Sequence, residues 1–79
     1  MNQIAFSWNI LVKKKASGLD GGDLGRVQEV KGDLIVTKEG LLIKKLYFLP
    51  KSLVSGFDAH AVYFRIMKAE ALQFQQRPR

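Results

Sequence analysis

The feature that most constrains this chain is an apolar run at residues 46–54 (LYFLPKSLV) that a proline interrupts. The aromatic and aliphatic residues before Pro50 favour a strand. Because proline cannot donate to a sheet ladder, that strand has to end or bend at Pro50. Leu53 and Val54 then bring the chain back toward the core. The run predicts a strand, a corner and a return strand, with Leu49, Leu53 and Val54 in the interior of a small barrel.

The N-terminal segment predicts another strand. Its larger apolar residues share one parity: Ile4, Phe6, Trp8, Ile10 and Val12. A period of two over this length is typical of a strand with one buried face. Residues 1–8 precede the rest of the predicted domain as an apolar extension, either an extra strand or a tail.

Alternating and β-branched residues predict further strands. They cover residues 24–30, 33–38, 41–49 and 59–67. Turn-forming segments separate or follow them, at residues 17–23, 31–32, 39–40 and 55–56. In the last strand, Val62, Phe64 and Ile66 are expected to face the core. Gly25 is expected to allow a close backbone approach or a bulge, and Gly40 to take a left-handed conformation.

The period changes at the C-terminal end of the chain. Met67, Ala71 and Phe74 lie at i, i+4 and i+7, among residues that favour helices. The sequence therefore predicts a short helix at residues 68–76. A helix of this length is marginal alone, so we expect it to dock on the strands. A basic tail at residues 77–79 contains the proline that ends it.

Composition places the chain among small soluble domains. Its 79 residues suffice for one domain, and the absence of cysteine excludes disulfides and thiolate metal sites. No apolar run approaches the ~20 residues that a membrane-spanning helix needs. The N-terminus lacks the features of a signal peptide. We therefore expect a cytoplasmic protein, and the net charge of +6 favours anionic partners.

Five short motifs occur in order along the chain. They are residues 18–21 (GLDG), 24–27 (LGRV), 30–35 (VKGDLI), 48–54 (FLPKSLV) and 68–71 (KAEA). The first three resemble a stretch of PRC-barrel-like domains, D-G-x-x-[IVL]-G-x-V, and the G-D turn after it. The fourth is similar to the Y-[IV]-P-x-x-x-V corner of that family, and the fifth to the close of its short members. The likeness extends from Asn9 to Ala71.

The resemblance implies a mainly β fold for residues 9–76. That fold is a small, closed or partly open, five- to six-stranded antiparallel β-barrel with a short C-terminal helix. Relatives include the cytoplasmic domain of the photosynthetic reaction-centre H subunit, the C-terminal domain of a ribosome maturation factor and short archaeal proteins, some associated with cell division. The resemblance implies a short, stand-alone archaeal or bacterial adaptor, with no catalytic residue or cofactor to carry over.

Few residues suit catalysis or metal binding. His60 is the single histidine, so a metal site would need it together with carboxylates. Asp20 and Asp23 flank two glycines but lack the ligand spacing of an EF-hand. Residues 18–25 lack the order of a P-loop or Rossmann motif, and no serine has a complete histidine–acid pair. We therefore predict neither an enzyme nor a bound cofactor or metal.

Two features remain as candidates for binding. The first is positive charge, at Lys13, Lys14, Lys15, Lys44, Lys45 and Arg65. The second is an apolar excess in both parities of two predicted strands, so that one face fills the core and the other needs cover. Its candidate residues are Leu34, Val36, Leu46, Tyr47 and Phe48. We expect Tyr47 or Phe48 to be the first point of contact with a partner.

These features support two functions. The favoured one is a non-catalytic protein-interaction or adaptor module in cell division or a scaffold, forming a homodimer through an apolar face ringed by lysines. The alternative is a basic β-barrel that binds nucleic acid or the ribosome, with Trp8, Tyr47 and Tyr63 stacking on bases. Acidic residues interrupt the basic ones, which favours the first function. Membrane attachment through Ile4, Phe6 and Trp8 is not favoured, because interfacial anchors are usually helical.

Overall fold

Strand pairing organises residues 7–76, which are the residues that this computed structural model describes. Within them the chain forms seven strands: β1 Lys15–Ser17, β2 Asp23–Lys31, β3 Leu34–Glu39, β4 Lys45–Pro50, β5 Val54–Phe57, β6 Ala61–Phe64 and β7 Gln75–Gln76. One short α-helix, α1 Lys68–Ala71, follows β6. Short 3-10 helices occupy Trp8–Leu11, Lys51–Leu53 and Leu72–Phe74. The fold is mainly β with a short C-terminal helix, as predicted.

The strands form one open, mixed sheet. Over the described residues their order is β5-β6-β1-β2-β3-β4-β7, and no pairing joins the edges β5 and β7. Neighbouring strands are antiparallel except β1 and β6, which run parallel. The expectation of an entirely antiparallel barrel is therefore wrong at this pair. Side-chain periodicity reports which face a strand buries, but it carries no information about the direction of the neighbouring strand.

The predicted corner at Pro50 is confirmed. Pro50 ends β4, and Lys51–Leu53 turns the chain into β5. The Lys51 N–H donates to the Asp33 carbonyl at 2.8 Å, which ties the corner to the β2–β3 hairpin. Leu49 is fully buried, and Leu53 and Val54 pack half-buried against the core. Residues 55–56, which the sequence assigns to a turn, lie within β5.

Two glycines adopt the conformations that the sequence predicts. Gly25 has a φ of +91°, and a Cβ there would lie 2.6 Å from the Lys38 carbonyl oxygen. Gly40 follows β3 with a φ of +99°. The β2–β3 turn is displaced by one residue from its predicted position. Because Lys31 pairs with Leu34, the two-residue loop is 32–33 rather than 31–32.

The predicted N-terminal strand is wrong where the structure describes it. Trp8–Leu11 is a 3-10 helix, and the Ser7 hydroxyl accepts a hydrogen bond from the Asn9 N–H at 3.3 Å. Such a local bond offers the backbone an alternative to a ladder. Leu11 is fully buried and Ile10 is 48% exposed, the reverse of the expected parity. Residues 1–6 and the predicted tail at 77–79 lie outside the described residues.

The predicted C-terminal helix begins at the expected residue and ends early. α1 carries the buried Ala71 and continues as the 3-10 helix Leu72–Phe74. The two residues after it form β7, which pairs with Leu46 and Tyr47 of β4. A helix of nine residues is marginal, whereas pairing with β4 satisfies the backbone groups of the last residues.

The core contains side chains from one face of each long strand. Its largest fully buried residues include Leu11, Leu24, Val27, Ile35, Tyr47, Leu49, Val62 and Phe64. The parity predicted around β6 is confirmed, because Val62, Phe64 and Ile66 are buried while Tyr63 is 40% exposed. Thr37 is buried among them, and its hydroxyl donates to the Leu24 carbonyl at 2.6 Å.

Replacement of Gly25 by alanine tests the close approach of β2 to β3. We expect Gly25→Ala to lower the free energy of unfolding by about 1–3 kcal/mol for the left-handed backbone, with a further loss from overlap with the Lys38 carbonyl. Gly21→Ala is the matched control, because Gly21 has a φ of +76° and open space around its Cβ position. Denaturant unfolding measures both. Equal losses for the two variants would contradict the close approach.

Candidate functional site

The β3–β4 hairpin presents an apolar face on the side of the sheet away from the core. Its residues are Leu34, Val36, Leu46 and Phe48, named the apolar face below. Val36 lies directly opposite Phe48 in the register, and Leu34 and Leu46 lie two positions to either side of this pair. Val36 is 4% exposed, and the other three are half-buried. Four of the five predicted apolar candidates therefore share one outer face.

Tyr47 does not belong to this surface, which corrects the prediction. It is fully buried, because its side chain points to the opposite side of β4 from Leu46 and Phe48. Its hydroxyl donates to Glu39 Oε1 at 2.8 Å. Lys68 Nζ donates to Glu39 Oε2 at 2.7 Å and to the Asp23 carbonyl at 2.5 Å. Burial, followed by the hydrogen bond to Glu39, raises the pKa of Tyr47 to about 12.

A groove of about 340 Å³ continues the apolar face toward the sheet edge. It is lined by Phe48, Gln73, Phe74 and Gln75. Phe48 is the one residue of the apolar face in this lining. Phe74 also packs against the core. Of the two positions expected to meet a partner first, the geometry retains Phe48.

The connection between β3 and β4 is the most exposed apolar segment that the structure describes. Leu41, Leu42 and Ile43 are 91%, 97% and 79% exposed, and this triplet is named the apolar loop below. The sequence predicted a strand over residues 41–49, which are mostly apolar. The prediction is wrong because Glu39 pairs with Lys45, which leaves residues 40–44 outside the ladder. A Cβ at Gly40 would overlap the Ile43 carbonyl oxygen, so glycine permits the tight closure.

Three cations stand side by side across the sheet. Lys15 pairs with Arg26, and Arg26 pairs with Lys38, so adjacent strands place the three in one row, named the basic row below. The row lines a groove of about 460 Å³ that also contains Asp23, Glu39 and Leu41. Like charges directly opposite each other on neighbouring strands are destabilising. A bound anion would relieve that repulsion.

Among the described residues, neither acid of this groove forms an ion pair with the basic row. Glu39 accepts hydrogen bonds from Tyr47 and Lys68. The pair Lys68–Glu39 is the one salt bridge among residues 7–76. Asp23 Oδ1 accepts the Gly25 N–H at 2.8 Å. Arg26 donates to the Lys13 carbonyl at 2.8 Å. The sequence did not identify Arg26 and Lys38, since only the strand register reveals that they lie beside Lys15.

The basic residues predicted from the sequence do not form a single patch. Lys15 belongs to the basic row, while Lys44 and Lys45 follow the apolar loop. Lys14 Nζ donates to the Ala59 carbonyl at 2.9 Å, toward β6, and the Lys13 carbonyl accepts the bond from Arg26. The Arg65 N–H donates to the Leu53 carbonyl, beyond the opposite end of β4 from Lys45. The length of β4 therefore separates Arg65 from the two loop lysines.

The only histidine lies in a structural turn. Asp58 Oδ1 accepts the N–H groups of His60 and Ala61, and Asp58 Oδ2 accepts the Tyr63 hydroxyl at 2.7 Å. These bonds, that from Tyr63 first, lower the pKa of Asp58 to about 2. Within residues 7–76 there is no group of three or more His, Cys, Asp or Glu that could hold a metal. None of the helices in that part of the chain is long and apolar enough to cross a membrane.

Alkaline titration tests the placement of Tyr47. Because its folded pKa, about 12, lies above its unfolded value near 10, its contribution to stability is present below pH 10 and is lost between pH 10 and 12. In Tyr63→Phe, absorbance at ~295 nm should follow Tyr47 alone and rise near pH 12 in the folded protein. Tyr47→Phe should remove the corresponding pH dependence of unfolding. A folded-state transition near pH 10 in Tyr63→Phe would contradict the buried phenol.

Comparison with known proteins provides no relative. No protein-family model, curated protein or solved structure matches the chain. The likeness to PRC-barrel-like domains therefore depends on the five sequence motifs. The candidate surfaces depend on their own geometry: the apolar face, the apolar loop and the basic row.

Proposed function

We propose that this chain is a non-catalytic interaction module that self-associates through the apolar face. The observation that carries the proposal is the register of β3 and β4, which aligns four apolar side chains on the face opposite the core. Leu34, Leu46 and Phe48 are only half-buried there. Large apolar side chains on both faces of a strand pair require cover on both.

The charges beside the apolar face favour a second copy of the chain as the partner. Glu29 lies directly opposite Val36, whereas Lys31 lies opposite Leu34 and Lys38 opposite Leu46. A two-fold interface brings the same patch of both copies together. Acidic rim residues of one copy can then lie opposite basic rim residues of the other copy, while the apolar side chains pack at the centre. The resemblance to PRC-barrel-like domains supports the same role, an adaptor in a scaffold or in cell division.

Sedimentation of surface variants tests this interface. We expect the protein to dimerise with concentration, and Phe48→Lys to weaken the dimer at least ~30-fold, since a buried aromatic anchor contributes about 2 kcal/mol or more. Leu34→Lys should act in the same direction. Leu19→Lys is the control, because Leu19 is 67% exposed in a turn outside the apolar face. Analytical ultracentrifugation measures the dimer, and thermal unfolding checks that each variant is folded.

Two results would count against the interface. One is a protein that sediments as a monomer at every concentration. The other is an equal loss of dimer in Leu19→Lys and Phe48→Lys, because a uniform effect of added charge does not locate a surface.

The basic row supports a second candidate function, the binding of nucleic acid. Lys15, Arg26 and Lys38 lie in register along one groove, and lysine and arginine are the residues that neutralise phosphates. Tyr63 is the most exposed of the three aromatic residues that the sequence analysis considered for base stacking. It lies on β6, the strand next to β1. Tyr63 pairs with Ser17 of β1, but its hydroxyl donates to Asp58 at 2.7 Å, which sets a carboxylate beside that ring. Self-association therefore remains the first proposal.

A salt titration with single-stranded RNA tests the second candidate. If Lys38 contacts a phosphate, Lys38→Gln should reduce the slope of log affinity against log salt by about 0.7. Lys31→Gln removes the same charge near the other end of β3 and is the control. Absence of binding at low salt, or equal slopes for the two variants, would exclude the basic row as a nucleic-acid site.

A further inference from the structure

The apolar loop presents an unusual surface for a protein in water. Its three aliphatic side chains are 79–97% exposed, whereas the apolar face beside it is at least half-covered. The loop is the connection of a hairpin and lies outside the ladder, with its three side chains almost entirely in solvent. Transfer of such exposed aliphatic side chains from water into an apolar medium is favourable.

Positive charges surround the base of the apolar loop. Lys44 and Lys45 follow it directly in the chain and are exposed. Leu41 lines the same groove as the basic row, which places Lys38 and Arg26 behind the loop. Glu39, the nearest acid in the chain, is occupied by Tyr47 and Lys68. An anionic surface that reached past the tip of the apolar loop would therefore meet Lys44 and Lys45 first, and then the basic row, whose groove also contains Asp23.

The chemistry of the tip decides among anionic partners. Nucleic acid binds through aromatic stacking in addition to phosphate contacts, and the loop has no ring. The centres of protein interfaces are depleted in lysine and enriched in aromatic residues. Aliphatic side chains buried at the acyl boundary, with lysines reaching the headgroups, are typical of interfacial membrane binding.

We propose that Leu41, Leu42 and Ile43 insert into the interface of an anionic lipid bilayer, with Lys44, Lys45 and the basic row on the headgroup phosphates. The tip reaches the boundary between headgroups and acyl chains and does not span the membrane. This site differs from the N-terminal one that the sequence analysis considered and did not favour. It goes beyond self-association, because the loop is not part of the apolar face; Lys38, at the rim of that face, is common to both proposals.

Vesicle co-sedimentation of the purified full chain tests this inference. We expect binding to phosphatidylcholine vesicles that contain phosphatidylserine, and much weaker binding to phosphatidylcholine alone. Leu42→Ser should reduce partitioning about tenfold or more, since it removes the most exposed aliphatic side chain. Lys44→Gln should reduce it about fivefold and should lose its effect at high salt. Leu19→Ser and Lys31→Gln are controls that make the same changes away from the loop.

The outcomes separate this inference from its alternatives. Binding that depends on charge but is unchanged in Leu42→Ser would overturn insertion and leave adsorption of a basic protein. Absence of binding to anionic vesicles would overturn the inference entirely. Phe48→Lys should lose the dimer and retain at least monomeric vesicle binding. A protein that binds vesicles without dimerising would support this inference and contradict the proposed self-association.

Discussion

The fold depends on the pairing of β1 with two neighbours at once. This strand has three residues, yet it pairs antiparallel with β2 and parallel with β6. Without it the sheet would separate into the β5–β6 hairpin and the four strands β2, β3, β4 and β7. Ala16, at its centre, is fully buried, and a larger side chain there would displace both neighbours. The backbone hydrogen bonds of a very short strand thus connect the two halves of the core.

The same alternation that builds the core also creates the candidate surfaces. Tyr47 and Phe48 are adjacent in β4, yet one is fully buried and bound to Glu39 while the other lies on the outer face. Lys68 of α1 forms a salt bridge with Glu39, so this carboxylate is bound by both the helix and the buried tyrosine. The basic row, which lines the same groove, is consequently left without ion pairs among the described residues.

Two surface features at the β3–β4 hairpin do not stabilise the fold. Like charges lie in register across three strands, and aliphatic side chains are exposed at the apolar loop. Both features are unfavourable in an isolated protein in water, and the proposed interactions are argued from them. They occupy distinct positions, the loop at one end of the hairpin and the apolar face along its outer side. The proposed self-association uses the apolar face, and the proposed membrane contact uses the loop.

The sequence by itself determined the features that depend on neighbouring residues. Pro50 forces a corner because it cannot donate to a ladder, and Gly25 permits a close approach because it has no Cβ. Alternation assigned Val62, Phe64 and Ile66 to the core. Only the tertiary structure decided the parallel β1–β6 pair, the β4–β7 pair and the exposure of the apolar loop. Strand direction, register and the ends of a ladder are set by hydrogen bonds between distant segments, which local periodicity does not encode.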